Sequence, residues 1–158
     1  MKTKDVIETR GDVEMIVEYD DGRKETTCFR NTILRKGREA IAASLANEFG
    51  SEFNFFINRM LFGDGGTVTG TPKFVEDSRN GLFGVAQVIK PVLSTIDVNN
   101  PTQVVFTSVV SFSEGNGFTL NEIALQMNDG DLYSMATFAG IAKTSMMQIT
   151  FNWRISMI

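Results

Sequence analysis

From Met147 to Met157 the chain alternates without a fault. Met147, Ile149, Phe151, Trp153, Ile155 and Met157 fall on one side of an extended backbone, and Gln148, Thr150, Asn152, Arg154 and Ser156 on the other. Wound as a helix, these residues would scatter round the whole circumference; extended, they make a strand with one apolar face. Such a strand needs partners at its edges and a layer over its apolar face. The rest of the chain offers both. Val13, Met15, Val17 and Tyr19 alternate with Glu14, Glu18 and Asp20, and 82–92, 104–112, 118–127 and 132–138 are further strand candidates. Asn99-Asn100-Pro101, Gly115-Asn116-Gly117 and Asn128-Asp129-Gly130 punctuate them as turns. Residues 53–62 are apolar on both alternating sets, as in a strand covered on both faces. The expected fold is mainly β: an antiparallel β-sandwich, or a partly open barrel, formed by residues 1–158 as one domain.

One helix is expected, at about 34–48, packed on the sheet. Ala40, Ala42, Ala43 and Ala46 give it propensity, and Ile33, Gly37, Ala40, Ile41, Ser44 and Leu45 form a narrow stripe of small residues suited to close packing. Asn31 or Thr32 caps its start and Gly50 stands where it should stop. Before it, Asp20-Asp21-Gly22 turns the chain between the first strand and a polar return strand at 23–30. The charge on both strands makes residues 1–30 an exposed edge or a protruding hairpin arm. Cys28 reads as a buried or half-buried strand residue. After Gly63-Asp64-Gly65-Gly66 the segment 63–80 is a long polar loop, longer than structureless connections usually are, and so functional or ordered by a partner.

The chain has no histidine and one cysteine, which removes the usual neutral-pH acid–base group, an internal disulfide and thiolate metal clusters. Neither cofactor, metal nor small-molecule substrate is expected, and no catalytic residue is assigned. Gly63-Asp64-Gly65-Gly66 is followed by Thr67-Val68-Thr69 rather than by Lys with Ser or Thr, so it is no phosphate cradle, and Asp64 alone is too little for calcium. The carboxylate pairs Asp20/Asp21, Glu76/Asp77 and Asp129/Asp131 sit in expected turns, where nothing separates their pKa values. Arg35-Lys36-Gly37-Arg38 is a short basic cluster in a chain of net charge −4; it reads as helix surface, not as a nucleic-acid contact. No run reaches the roughly 18 apolar residues of a membrane span, and the first residues lack the apolar core of a signal peptide.

Charge is spread unevenly. More than half of the charged side chains lie in residues 1–50, while 99–158 holds six: Glu114, Glu122, Asp129, Asp131, Lys143 and Arg154. With 13 Phe and 8 Met in the chain, this charge-poor half is expected to bury surface in a homo-oligomer or larger assembly, since interfaces deplete charge and enrich aromatics and Met. A Phe-rich core is the plainer alternative. Glu122, between Leu120 and Ile123, is costly to bury unpaired. It faces solvent, pairs within the fold, to Arg or backbone N–H groups, or pairs across a subunit boundary. Trp153, on the apolar face of the last strand, should be largely buried, with its indole N–H paired if no water reaches it.

The order of motifs resembles a known family. Asn31-Thr32-Ile33-Leu34 leads into Gly37-Arg38-Glu39-Ala40-Ile41-Ala42, then Met60-Leu61-Phe62-Gly63-Asp64-Gly65-Gly66. Gly117-Phe118-Thr119-Leu120-Asn121-Glu122-Ile123-Ala124-Leu125 and Ile149-Thr150-Phe151-Asn152-Trp153-Arg154-Ile155 follow. This succession, over about residues 30–155, is similar to small virion structural proteins of tailed bacteriophages and to the N-terminal attachment domain of phage tail-collar fibres. Ala124 stands where the family run has Gly. The resemblance implies a non-enzymatic virion subunit, made in the host bacterial cytoplasm, whose partners are other virion proteins and neither nucleic acid nor membrane. With no shaft sequence after the last strand, a stand-alone adaptor or decoration piece of the neck, tail or baseplate is expected. A capsid decoration protein and a free carbohydrate- or ligand-binding β-sandwich are the alternatives. The candidate interface or structural residues are Phe62, Asp64, Phe118, Glu122, Trp153 and Arg154.

Overall fold

The computed structural model describes residues 8–46 and 55–158. In chain order the elements are β1 (Thr9–Tyr19), β2 (Lys24–Arg30), β3 (Thr32–Ile33), α1 (Arg35–Ala46), β4 (Ile57–Gly63), β5 (Thr67–Val68) and β6 (Thr71–Pro72), followed by β7 (Ala86–Pro91), β8 (Leu93–Asp97), β9 (Asn100–Val110), β10 (Thr119–Met127), β11 (Leu132–Ala142) and β12 (Met147–Met157). Two five-stranded antiparallel sheets face each other, in the orders β2-β1-β12-β9-β8 and β3-β11-β10-β4-β7. They share no strand, so the arrangement is a sandwich rather than a closed barrel. The chain changes sheet four times, and two of these corners are a single residue: Asn31 between β2 and β3, and Val92 between β7 and β8.

The alternation in β12 does what its pattern requires. Ile149, Phe151, Trp153 and Ile155 are buried, and β1 lays Val13, Met15 and Val17 beside them in register, Val13 opposite Trp153 and Met15 opposite Phe151. From the other sheet Phe62 meets Phe151 with ring centroids 4.9 Å apart, and Phe138 stacks on Phe29 at 4.9 Å. The first hairpin is therefore no protruding arm. β1 pairs along its whole length with β12 and contributes three core residues; only β2 forms the edge. Cys28 lies exposed on that edge instead of buried, because it shares the outer face with its cross-strand partner Glu14.

The second sheet is covered on both faces. On its inner side Met60, Phe62, Ile123 and Leu125 join the main core; on its outer side Leu61, Ala124 and Met135 form a second cluster with Leu34, Val75 and Leu132. β10 and the first half of β11 are consequently buried almost residue by residue. Much of the charge poverty of 99–158 is thus spent inside the subunit. Helix α1 ends, among the described residues, at Ala46. Its buried residues are Gly37 and Ala40; a Cβ on Gly37 would collide with the Tyr133 carbonyl, so the glycine permits the close approach. The apolar stripe stops there, and Leu45 is 85% exposed. Residues 47 and 48 of the expected helix, and 53 and 54 of the expected strand, lie outside the described residues.

Elsewhere the boundaries moved. Residues 63–80 carry a small β5–β6 hairpin, with Thr69 and Gly70 at positive φ in its turn. The expected strand at 82–92 starts only at Ala86, and β8 is a strand that sequence patterning left unassigned. The turn expected at Asn99-Asn100-Pro101 falls one position earlier, so Pro101 lies within β9. Trp153 is fully buried, yet its indole N–H finds no acceptor among the described residues, contrary to the pairing expected. Trp153→Ala should cost about 3–5 kcal/mol in urea unfolding, the range for emptying an aromatic core site. Trp153→Phe should cost less, because it also removes the unpaired donor. Wild-type fluorescence should be blue-shifted and resist acrylamide quenching.

Candidate functional site

The segment 63–84 lies over the outer face of β10, and two adjacent side chains of that strand hold it there. Glu122 is fully buried and, among the described residues, makes no ion pair. Its Oε1 accepts from the Gly65 N–H at 2.9 Å and the Gly84 N–H at 2.8 Å, and its Oε2 from the Phe83 N–H at 2.7 Å. Three backbone N–H groups give a buried carboxyl group hydrogen-bond partners without a counter-ion. Asn121 does the complementary work: its Oδ1 accepts from the Gly66 N–H at 2.6 Å, and its Nδ2 donates to the Asp64 carbonyl and the Thr67 hydroxyl. Of the three expectations for Glu122, the structure shows pairing within the fold.

The glycines follow from this geometry. A Cβ on Gly63 would come within 2.6 Å of Glu122 Oε1, and one on Gly65 or Gly66 would run into the backbone of Gly84 or Asn121. The cluster Gly63-Asp64-Gly65-Gly66 is therefore a close-approach surface for a carboxylate that belongs to the protein itself. Ala124, two residues on from Glu122 and on the same outer face, is fully buried against Leu61 and Met135, where little but a small side chain fits.

Further ties fix the rest of the segment. The Thr137 hydroxyl donates to the Lys73 carbonyl at 2.6 Å, and the Arg35 N–H donates to the Asp77 carbonyl. Arg38 donates to the Asp77 carboxylate at 2.6 Å, and Lys36 lies near Glu39 and Asp131, so the basic cluster that opens α1 is engaged with the protein's own carboxylates. Phe83 is capped by the Arg79 guanidinium, 3.6 Å from its ring centroid, and by Lys73 at 4.8 Å. Anchored in this way, the segment presents apolar residues to solvent: Val68 in the β5–β6 hairpin, Phe74, which is 83% exposed, and Val85.

A second polar cluster holds the turn at 111–118. Lys90 on β7 donates to both oxygens of Glu114, at 2.8 and 2.9 Å, and the Ser111 N–H donates to the same carboxylate. These bonds hold the Glu114 carboxyl below its ordinary range, Lys90 contributing most. Beneath the turn Lys143 is 1% exposed and donates to the Asn116 side-chain oxygen and the Thr144 carbonyl; burial pushes its amine below the ordinary lysine range.

Among the six candidate residues, Asp64 lies in the anchored segment, its carbonyl held by Asn121, Glu122 is one of the two anchors on β10, and Phe62 lies on β4 opposite Ile123. Asp64 also accepts from Gln87 through its carboxylate. Phe62 and Trp153 are core residues of opposite sheets; Phe118 is half-exposed ahead of β10; Arg154 is exposed on the outer face of the first sheet, opposite Asp12 and Val105. Sequence reasoning passed over Asn121, Gly84 and Lys143. The signal for the first was a second polar residue beside Glu122 in an otherwise apolar run. Among the described residues no three His, Cys, Asp or Glu side chains gather as metal ligands would. An apolar groove of about 540 Å³ opens where the sheets part, lined by Ile41, Phe56, Ile96, Phe106 and Met157 among others.

The family model for the phage tail-collar fibre protein, N-terminal, matches residues 26–157. The chain belongs to this family. It is accordingly a structural protein of the phage tail and a virion component that meets other virion proteins. No curated protein and no solved structure matches the chain. The matched span of the tail-collar fibre domain takes in Asn121, Glu122 and every glycine they hold, but leaves out β1, which completes the first sheet.

Two substitutions probe these anchors. Glu122→Gln sets an amide N–H₂ against at least one backbone N–H and should cost about 1–3 kcal/mol in chemical unfolding, with amides of 65, 83 and 84 losing hydrogen-exchange protection first. Glu114→Gln should cost about 0.2–1 kcal/mol at pH 7, the range for a partly exposed pair. Because the folded carboxyl titrates below the ordinary carboxylate range, that stability is complete above that range and is lost as pH falls through the lowered value. Melting curves of variant and wild type should therefore converge in acid.

Proposed function

We propose that the protein is a non-enzymatic adaptor of the tail, neck or baseplate, working as a homo-oligomer that joins other virion proteins through its apolar surface. The observation that carries this reading is the segment 63–85: its backbone is fixed by Asn121 and Glu122, while Val68, Phe74 and Val85 stand in solvent. A surface loop held this firmly has already lost the conformational entropy that binding would otherwise cost. Exposed apolar residues on a rigid support are the usual form of a protein-binding site. The scale of the fold agrees, since the described residues form two sheets around one main core and leave the docking surfaces at the loop and the sheet edges. The chain would be made in the host cytoplasm, where a lone exposed thiol such as Cys28 stays reduced. For the capsid-decoration and carbohydrate-binding alternatives no specific feature speaks; the exposed aromatic residues Phe56, Phe74 and Phe118 sit on three separate segments rather than on one platform.

Mass spectrometry of purified particles should find the chain at a fixed stoichiometry with tail proteins. Phe74→Asp, at a position that contributes little to the core, should leave the melting temperature within about 2 °C of wild type. It should lower incorporation into particles several-fold. Particles devoid of the chain, or Phe74→Asp particles of normal content, would overturn the reading of the protein or of the loop respectively.

A further inference from the structure

Among the described residues the first sheet has two open edges, and they are built unlike each other. β2 carries Lys24, Glu25 and Arg30 around a neutral stretch, whereas β8 (Leu93–Asp97) has no charge before Asp97 and no proline. Leu93 and Ile96 are 69% and 61% exposed. Free edges are normally protected by charge, proline or extreme shortness, and β8 has only the terminal charge of Asp97. It is a strand waiting for a neighbour.

We infer that the neighbour is β2 of a second copy of this chain. All four pairings across the sheet are antiparallel, so β2 and β8 run in the same direction. A second copy, turned about an axis along the strands, therefore presents its β2 parallel to β8. Side-chain direction limits the register. Ile96 is opposite Val104 and Ser94 opposite Phe106, which places both on the inner face; Phe29 is opposite Val13, which places it there too. Setting Leu93 beside Thr26 of the neighbour keeps every side chain on its own face. Ile96 then meets Phe29, an apolar pair, and Asp97 meets Arg30, a pair of opposite charge. Within the subunit no ion pair engages Asp97 or Arg30 among the described residues.

Self-pairing of either edge is poorer. About Thr27, β2 against β2 sets Lys24 opposite Arg30, and β8 against β8 offers Asp97 no cation in any register. The contact is also deeper than one strand. Val92 alone separates β8 from β7, and Asn31 alone separates β2 from β3, so the edges of both sheets meet on each side of the sandwich. Ile89 of β7 is exposed there as well. A head-to-tail contact of this kind closes into a ring when its rotation permits. The proposal rests on the homo-oligomeric reading given above and names its interface.

The native Cys28 supplies the test. In the proposed register it lies beside residue 95 of the neighbour, on the outer face, and adjacent strands about 4.8 Å apart are within disulfide reach. Thr95→Cys, mildly oxidised, should give disulfide-linked multimers on non-reducing gels, and adding Cys28→Ser should abolish them. Absence of multimers, or multimers that survive Cys28→Ser, overturns the pairing. Asp97→Arg should weaken self-association about tenfold in sedimentation, as expected for reversing one partner of an interfacial charge pair, and Arg30→Asp in the same chain should restore it. A wild-type chain that sediments as a monomer at every concentration, or loses nothing with Asp97→Arg, also overturns it. If particles contain the chain while Thr95→Cys does not cross-link, the virion reading stands and only this interface fails.

Discussion

The interaction on which the structure turns is a buried carboxylate with no cation. Glu122 would be among the most costly residues in the protein if its charge met only hydrocarbon. It meets three backbone N–H groups instead, and those groups need it as much as it needs them. Beyond Gly63, where the β4–β10 ladder ends, the segment 64–84 lies over the outer face of β10, and the amides it turns inward would be unsatisfied without Glu122 and Asn121. Carboxylate and loop thus solve each other's desolvation problem. Removing one side leaves the other exposed to the full penalty, which is why the two stretches of sequence, 63–66 and 121–122, act as one unit although they lie far apart in the chain.

This reciprocity explains what was legible in the sequence. The alternation of β12 and the apolar runs around it already contained the sandwich, because burial of one face dictates period-2 patterning and little else satisfies it. The single polar break in β10 marked Glu122 as unusual. Which groups would satisfy it was not legible, since backbone amides carry no residue label, and the glycine cluster that delivers one of them, the Gly65 N–H, looked like an ordinary turn. Cys28 was misjudged for a related reason: its neighbours Thr27 and Phe29 do not reveal which face is inward until β1 is paired on its far side with β12. β8 escaped notice because Leu93-Ser94-Thr95-Ile96-Asp97 does not alternate cleanly, its edge position leaving both faces half free.

Charge distribution has a two-part physical account. In the second sheet, the lack of charge at 119–138 answers to burial on both faces, the main core on one side and the Leu61, Ala124 and Met135 cluster on the other. That burial needs no partner. Exposed apolar residues lie elsewhere, among them Val68, Phe74 and Val85 on the segment 63–85 and Ile89, Leu93 and Ile96 along β7 and β8. A charge-poor stretch of sequence and an apolar surface are therefore different things in this molecule, and only the second bears on assembly.

The division of labour between the sheets follows. The second sheet is sealed, and its role is to hold the loop that displays Val68 and Phe74 in a fixed position. The first sheet is open: β12 and β1 anchor its centre through Trp153 and Phe151, while both its edges remain unpaired. Stability comes from the middle of the sandwich, and surfaces able to recognise other chains lie at its rim. For a structural protein of the phage tail this separation has a mechanical sense. Each of β1, β12 and β9 is paired on both sides, so pulling any of them out of the sheet requires breaking two ladders at once.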